Sequence, residues 1–380
     1  MAVGIVKSIS KVPFYDIHAR SVSGTTGGRV ISSKLTYRKA GVNIELADSV
    51  KEEMSKFVSR GDSRILNQFG AFASLFEAKF QGIRHPVLVL KAEEPGSKQW
   101  LALKFKRIRG IGYDTINHLI NDIIVMGATP VAILDTIICG KLEKRLVVEI
   151  VKSMSEACEE QGCSLVGGET SEQPGVLADG IYVLCASGIG VVDKPGIIDG
   201  SRIQIGDHVI GLASNGPHTN GYTLIRKIIA KDESIIDTRV GSETFLNAIL
   251  RPHKCYYKCL KRLFSMAELH GLAHITGGGI EGNLGRILPE GLSARVDLCN
   301  IQILPVFEAI RSAGNVSDSE MMRTFNMGVG MALIVRPSAV EKIRKHLLEE
   351  ECDSFVIGKI TKGHQSVEFK GKLNWQLSAR

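Results

Sequence analysis

No C-x-x-C pair occurs in the 380 residues, although eight cysteines are present, and several of these sit inside apolar runs such as IYVLCASG around Cys185. That spacing argues against a thiolate zinc site and for reduced thiols in the cytosol. No apolar run reaches the ~18 residues that a membrane helix needs. The opening MAVGIVKSISKVPFYDIHAR lacks the long apolar core of a secretion signal. A cytoplasmic protein with no membrane partner is therefore expected. Basic stripes are also missing: the net charge of +7 is mild and dispersed, which suits phosphorylated ligands but gives no reason to expect nucleic acid. There is no short-period internal repeat.

What is present is enough chain for two domains, each with its own core. Residues 1–33 end in SVSGTTGGRVISSK and read as a flexible N-terminal arm. A first folded region spans 34–195, a second spans 196–365, and 366–380 reads as a tail. The turn-rich stretch DKPGIIDGSRIQIGD, 193–207, marks the crossover. Strands are expected at 87–90, 131–138, 181–192, 208–213, 292–298, 328–335 and 355–360. Helices are expected at 115–126, 142–160, 220–231, 243–270, 303–313 and 338–350. In the first of them Ile116, Leu119, Ile120, Ile123 and Ile124 keep helical spacing. Mixed strands and helices without a strict βαβ rhythm indicate an α+β fold.

Five stretches carry residue types suited to chemistry. On the helix from Thr115, Asp114, His118 and Asn121 fall opposite the apolar side, with Asp122 at its edge. Asp114 and Asp122 are about 12 Å apart along a helix axis, too far to share one ion but able to bracket a triphosphate with its metals. Alternatively Asp114 is an N-cap and Asp122 is solvated. SLVGGETSEQPG, 164–175, offers Gly167 and Gly168 for close backbone approach, with Glu169 and Thr170 as oxygen donors, or it is a tight turn. SNGPHTNGYTLIRK, 214–227, places His218 and Asn220 near a helix start, where phosphate is favoured, or forms a plain capping loop. AHITGGGIEGNLGRIL, 273–288, sets Gly277, Gly278 and Gly279 before a helix as an anion cradle, with His274 and Thr276 just ahead. His274 could equally be a satisfied histidine at a strand end. The fifth, VLVLKAEEPGSKQW from Val87, is a buried strand running into acids and lysines, either a phosphate-and-metal loop or a solvated turn.

Taken together the stretches resemble the phosphoribosylaminoimidazole synthetase (AIR synthetase, phosphoribosylformylglycinamidine cyclo-ligase) family. YRKAGVNIELAD (37–48), NQFGAFASLF (67–76), GYDTINHLINDIIVMGATP (112–130), GCSLVGGETSEQPG (162–175), GIIDGSRIQIGD (196–207), SNGPHTNGYTLIRKI (214–228), HITGGGIEGNLGRILPEG (274–291) and AGNVSDSEMMRTFNMGVGM (313–331) stand in the family's order from about 34 to 362. The resemblance implies two α+β domains, the N-terminal sheet pairing with that of a second subunit in a barrel-like homodimer. It implies ATP-dependent ring closure of formylglycinamidine ribonucleotide in purine biosynthesis, with ATP and Mg2+. Carried over, Asp114, Asp122 and Glu169 become metal ligands, and Glu93, Lys98, Gly167, Gly168 and Thr170 become ATP contacts. His218, Asn220 and His274 become catalytic, and Thr276 with Gly277–Gly279 becomes the substrate or anion loop. Arg323 and Asn326, in R-T-F-N, either contact ligand or hold the fold.

The sequence departs from the family at 91–98, where the usual G-T-D-G-V-G-T-K reads KAEEPGSK. Glu93 stands for the metal-binding aspartate and is one methylene longer. Pro95 removes a backbone N–H. Glu94 beside a phosphate at ~5 Å and an effective dielectric of ~20 would repel it by roughly 3 kcal/mol. This loop keeps two alternatives open: a related ATP-using enzyme with another substrate, or a non-catalytic dimeric ligand-binding paralogue.

Overall fold

A computed structural model describes residues 35–58, 61–67 and 69–375. The arm expected over residues 1–33 lies outside the described residues. The first half builds a four-stranded sheet from β1 (Pro86–Glu93), β2 (Thr129–Cys139), β3 (Ser164–Glu172) and β4 (Tyr182–Asp193), in the order β1–β4–β2–β3. β4 is antiparallel to both its neighbours, whereas β2 and β3 are parallel. Their crossover is α4 (Lys144–Glu160), which packs beside α3 (Ile108–Ile124). Helices α1 (Ile44–Met54) and α2 (Lys98–Lys104) complete this half. The isoleucines that announced α3 in the sequence are fully buried, each contributing about 1.5–3 kcal/mol through the loss of apolar surface to water.

The second half is a six-stranded sheet in the order β12–β9–β11–β5–β10–β8. Its strands are β5 (His208–Ala213), β8 (Leu269–His274), β9 (Leu292–Asp297), β10 (Val329–Val335), β11 (Ser354–Lys362) and β12 (Val367–Lys370). A two-residue ladder, β6 (Arg239–Val240) with β7 (Glu243–Thr244), stands apart. Helices α5 (Tyr222–Lys231), α6 (Phe245–Leu250), α7 (Tyr257–Leu260), α8 (Gly279–Leu284), α9 (Pro305–Gly314), α10 (Asp318–Thr324) and α11 (Val340–Glu349) surround it. Its strands β5, β10 and β8 are buried on both faces. Along β10, Met331, Leu333 and Val335 enter the core that also holds α3 and α4, while Ala332 and Ile334 enter a second core with α5, α6 and α9.

Two expectations are corrected here. The single helix expected over 243–270 is broken into α6 and α7, and its end is β8. Pro252 is the reason: it has no N–H to donate and pushes Arg251 out of helical backbone. Val367–Lys370, read as part of the tail, pairs in parallel with β9 as an edge strand. All eight cysteines are free. No helix among the described residues is long and apolar enough to cross a membrane.

α3 and α4 cover one face of the first sheet. On the other, Ile65, Phe76, Phe80 and Ile83 cover part of the surface. Leu88, Leu90, Leu134, Val183 and Ile189 remain exposed there, Leu90 at 70%. The register pairs Leu90 with Ile189 and Leu134 with Ser187, so strict alternation puts all five on that one face.

Candidate functional site

Strand β1 does not end at Leu90. It stays paired with β4 through Lys91, Ala92 and Glu93, and only Glu94–Ser97 are left for the turn. The alternation of a strand then sets Lys91 and Glu93 on the side of Val87 and Val89, against α3. From α3, Asp114, His118 and Asp122 project at four-residue intervals along one stripe. The Lys91 ammonium lies 3.0 Å from Glu93 and 2.9 Å from Asp122. His118 Nε2 stands 3.8 Å from the Glu93 carboxylate. Glu94 is exposed and Pro95 is buried, so the acid whose repulsion threatened a phosphate has solvent to turn into.

Lys98, expected to meet ATP, faces inward instead. It is 1% exposed, and its Nζ donates to Asp114 Oδ1 and to the Arg251 carbonyl, both at 2.7 Å. Asp114 is not an N-cap, because α3 starts at Ile108; it is buried in the second turn. Burial pushes its carboxyl up to about 6 against the pull of Lys98. Burial likewise lowers Lys98, with Asp114 opposing.

The polar stripe of α3 also replaces the hydrogen bonds that a helix would have given residues 251–256. Asp114 Oδ1 accepts from the His253 N–H at 2.8 Å, and Asn117 donates to the His253 carbonyl at 2.7 Å. Asn121 donates to the Lys254 carbonyl at 2.8 Å and accepts from the Tyr256 N–H at 2.9 Å. A buried non-helical segment must have its backbone groups satisfied somewhere. These side chains do it, and they deliver the His253 ring to the junction of the two halves.

Four histidines meet there. His274, at the end of β8, directs Nδ1 to Asp122 Oδ1 at 2.7 Å and Nε2 to His253 Nε2 at 3.1 Å. Thr219 Oγ1 lies 3.3 Å from His253 Nδ1 and 3.1 Å from His118 Nδ1. His218 stacks on His253 with ring centroids 4.0 Å apart, and neither of its ring nitrogens has a hydrogen-bond partner. His218 has a left-handed φ of +59°, and a Cβ on Gly330 would collide with its ring and with the Tyr256 hydroxyl. Glycine at 330 makes the room. Burial, then His274, keeps His118 down to about 4 and holds His218 well below the usual histidine range. Burial, then His218 and His274, does the same for His253. Burial would raise Asp122, but the His274 ring and Lys91 outweigh it and hold that carboxyl well below the usual range.

An ionised Asp122 only accepts, so His274 donates from Nδ1, and when His274 is neutral its Nε2 keeps a lone pair. His253 then donates from Nε2 and accepts at Nδ1 from the Thr219 hydroxyl, whose oxygen accepts from His118 Nδ1. One continuous hydrogen-bonded chain joins α3, the loop after β5, the broken helix and β8. A proton added at one end is accommodated by single shifts along it.

Other expected residues lie elsewhere. Gly167, Gly168, Glu169 and Thr170 belong to β3, three strands or ~14 Å from β1. Glu169 and Thr170 line a cavity of about 210 Å3 with Tyr37, Val42 and Met54. Gly168 is required by packing, since a Cβ there would strike the Asp135 backbone and carboxylate. Burial, then Glu169, pushes Asp135 up to about 7. In the triple-glycine loop, a Cβ on Gly279 would collide with the Met322 carbonyl, so this glycine too answers to the chain's own packing. Asn283 ties the loop by donating to the carbonyls of Thr276, Gly277 and Gly279. Asn220 is adjacent, its Oδ1 3.3 Å from where a Gly277 Cβ would stand, and its buried Nδ2 has no partner. Asn326 holds the fold: it is bonded to Ser214 Oγ, the Gly216 carbonyl and the Gly328 N–H.

Magnesium takes oxygen ligands in near-octahedral geometry. Asp122 has both oxygens engaged, by His274 and Lys91; Glu93 shares Lys91, Asp114 is paired with Lys98, and Glu169 lies across the sheet. The Lys91 ammonium stands where a cation bridging Glu93 and Asp122 would go. In this arrangement the expected acids do not form a magnesium set.

Lys91, Thr219 and His253 were given no role at the site, and His118 was placed only on the polar side of its helix. The continuation of β1 past Leu90 points to Lys91, and the helix break at Pro252 to His253.

Comparison with known proteins places these features in context. Residues 87–192 match the family described as AIR synthase related protein, N-terminal domain, and residues 204–370 match the C-terminal domain of the same family. The chain is 40% identical over 329 residues to the phosphoribosylformylglycinamidine cyclo-ligase of Nitrosococcus oceani, covering 86% of this chain and 92% of that protein. It is 39% identical over 329 residues to the enzyme of the same name from Methylobacillus flagellatus, covering 86% of this chain and 95% of that protein. Among solved structures, E. coli HypE superposes with a TM-score of 0.63 at 15% identity, over 86% of this chain and 94% of that one. Thiamine-monophosphate kinase from Stenotrophomonas maltophilia gives 0.61 at 16% identity, over 88% and 98%. At such identities the two structures speak for the fold alone.

Proposed function

This chain belongs to the AIR synthase related family, and from that premise we propose that it is a cyclo-ligase of de novo purine biosynthesis, closing formylglycinamidine ribonucleotide to aminoimidazole ribonucleotide with ATP. ATP phosphorylates the formyl-amide oxygen; a nitrogen of the substrate attacks that carbon, phosphate leaves, and the nitrogen gives up a proton. Such phosphoryl chemistry asks the protein for positioning and charge placement rather than a nucleophile. The observation that carries the reading is the near-full-length likeness to the Nitrosococcus cyclo-ligase. The buried histidine chain supports it, as a ready acceptor for the proton that ring closure releases. His274 and His218 handle that proton, Asn220 orients the substrate from the neighbouring loop, and Glu93 meets ATP from the end of β1.

The test is direct. Purified chain given ATP, magnesium and formylglycinamidine ribonucleotide should form ADP and aminoimidazole ribonucleotide in equal amounts. ADP without the imidazole would indicate another acceptor, and neither product would sink the reading.

A homodimer is part of the proposal. The exposed Leu88, Leu90, Leu134, Val183 and Ile189 form a continuous apolar sheet face of the kind that marks an interaction surface. Sedimentation should show twice the chain mass, and Leu90→Glu should weaken association at least about a hundredfold, or ~2.7 kcal/mol. A monomer at all concentrations, or a dimer indifferent to Leu90→Glu, would contradict it.

A further inference from the structure

We propose that His218, His253 and His274 form a binding site for a borderline divalent transition ion of the zinc and cobalt class. The cysteine spacing argued against zinc on thiolates, but these three buried imidazoles bring one ring nitrogen each within 4.8 Å of one another. Imidazole is a preferred donor for such ions. At a Zn–N distance of 2.0–2.1 Å, a tetrahedral ion separates its nitrogens by about 3.4 Å. The His253 and His274 Nε2 atoms already stand 3.1 Å apart.

Two independent features point to a ligand. Both nitrogens of His218 are buried and without partners, a costly state that an ion would relieve. The outer contacts are those of a metal-binding histidine as well. His274 Nδ1 is held by the Asp122 carboxylate at 2.7 Å and His253 Nδ1 by Thr219 at 3.3 Å, which leaves the two Nε2 atoms facing one another, while His218, stacked on His253 at 22°, would turn its ring to complete the set. A carboxylate behind a ligating imidazole fixes its tautomer and raises its basicity.

The ion would take the place of the proton shared between His253 and His274, and three protein ligands would leave a fourth position for water or an anionic oxygen. A competing trio, His118, Asp122 and His274, shares one member. Its carboxylate is already committed, the Asp122 oxygens to His274 and Lys91, and an ion there would have to displace the Lys91 ammonium. The inference rests on these side chains and not on the cyclo-ligase reading; an ion there takes the Nε2 lone pairs, so the loaded site and the proton relay proposed above exclude one another.

Tag-free full-length chain should be dialysed against Zn2+ or Co2+, and bound metal measured by mass spectrometry. One ion per chain is expected, with the intense visible bands of tetrahedral cobalt and X-ray absorption showing three imidazoles. These readings on the unaltered chain need no variant to fold. His218→Gln and His253→Gln should each weaken binding at least about a hundredfold, Asp122→Asn about 10–100-fold, and His118→Gln less than threefold. The inference is overturned by binding well below one ion per chain, by a six-coordinate oxygen-rich spectrum, or by loss in His118→Gln with His218→Gln unaffected.

Discussion

Asp114→Ala is expected to cost about 3–5 kcal/mol of folding stability, read as a lower urea midpoint by circular dichroism. The size follows from what one oxygen does. Asp114 Oδ1 accepts from the Lys98 ammonium at 2.7 Å and from the His253 N–H at 2.8 Å, in a site where Lys98 is 1% exposed. Removing the carboxylate strands a cation and an amide together. Lys98→Met should cost less, because Asp114, already pushed up to about 6 by burial, can take a proton and stay hydrogen-bonded to His253. The pair Lys98→Met with Asp114→Leu should recover only part of the loss, since the His253 amide still lacks an acceptor. An Asp114→Ala penalty below about 1 kcal/mol would show that this buried pair is not structurally important.

Asp122→Asn is expected to lower turnover by at least about a hundredfold, the range of a lost acid–base function, with KM for ATP and substrate little changed. Asp122 acts through His274, so it is a positioning residue. The amide is nearly the same shape, but it can present its NH2 to His274 Nδ1 and so favour the opposite tautomer, which reverses the proton order along His274, His253 and Thr219. It would also leave Lys91 with Glu93 as its remaining acid partner. Besides the rate, the pH profile of kcat should change shape, which a merely loosened fold would not cause. Normal turnover with an unchanged profile would remove Asp122 from the proton path.

The sequence made much of this architecture legible where apolar spacing and burial agree. The isoleucine stripe of α3, the alternation of β4 and the bounds of β5 all follow from the pattern of residues. It also brought His218, His274, Asp114 and Asp122 forward, each for a local reason of its own; the fold is what brings them to one junction. It did not reveal His253, because the apolar spacing on either side of Pro252 reads as one helix until the proline is given its full weight. Glu169 and Thr170 were grouped with the acids of α3 by motif alone; the order of strands, which no local pattern encodes, sets them across the sheet. The glycines at 168 and 279 looked like ligand cradles, yet the atoms that exclude a side chain there are the protein's own.

The two-sided burial of β10 has a consequence for how the molecule comes apart. With Met331, Leu333 and Val335 in one core and Ala332 and Ile334 in the other, neither half can melt without exposing the strand that supports its neighbour. Heat or denaturant should then release both halves in a single cooperative step. A fragment ending before β5 would lose part of its own interior along with its companion.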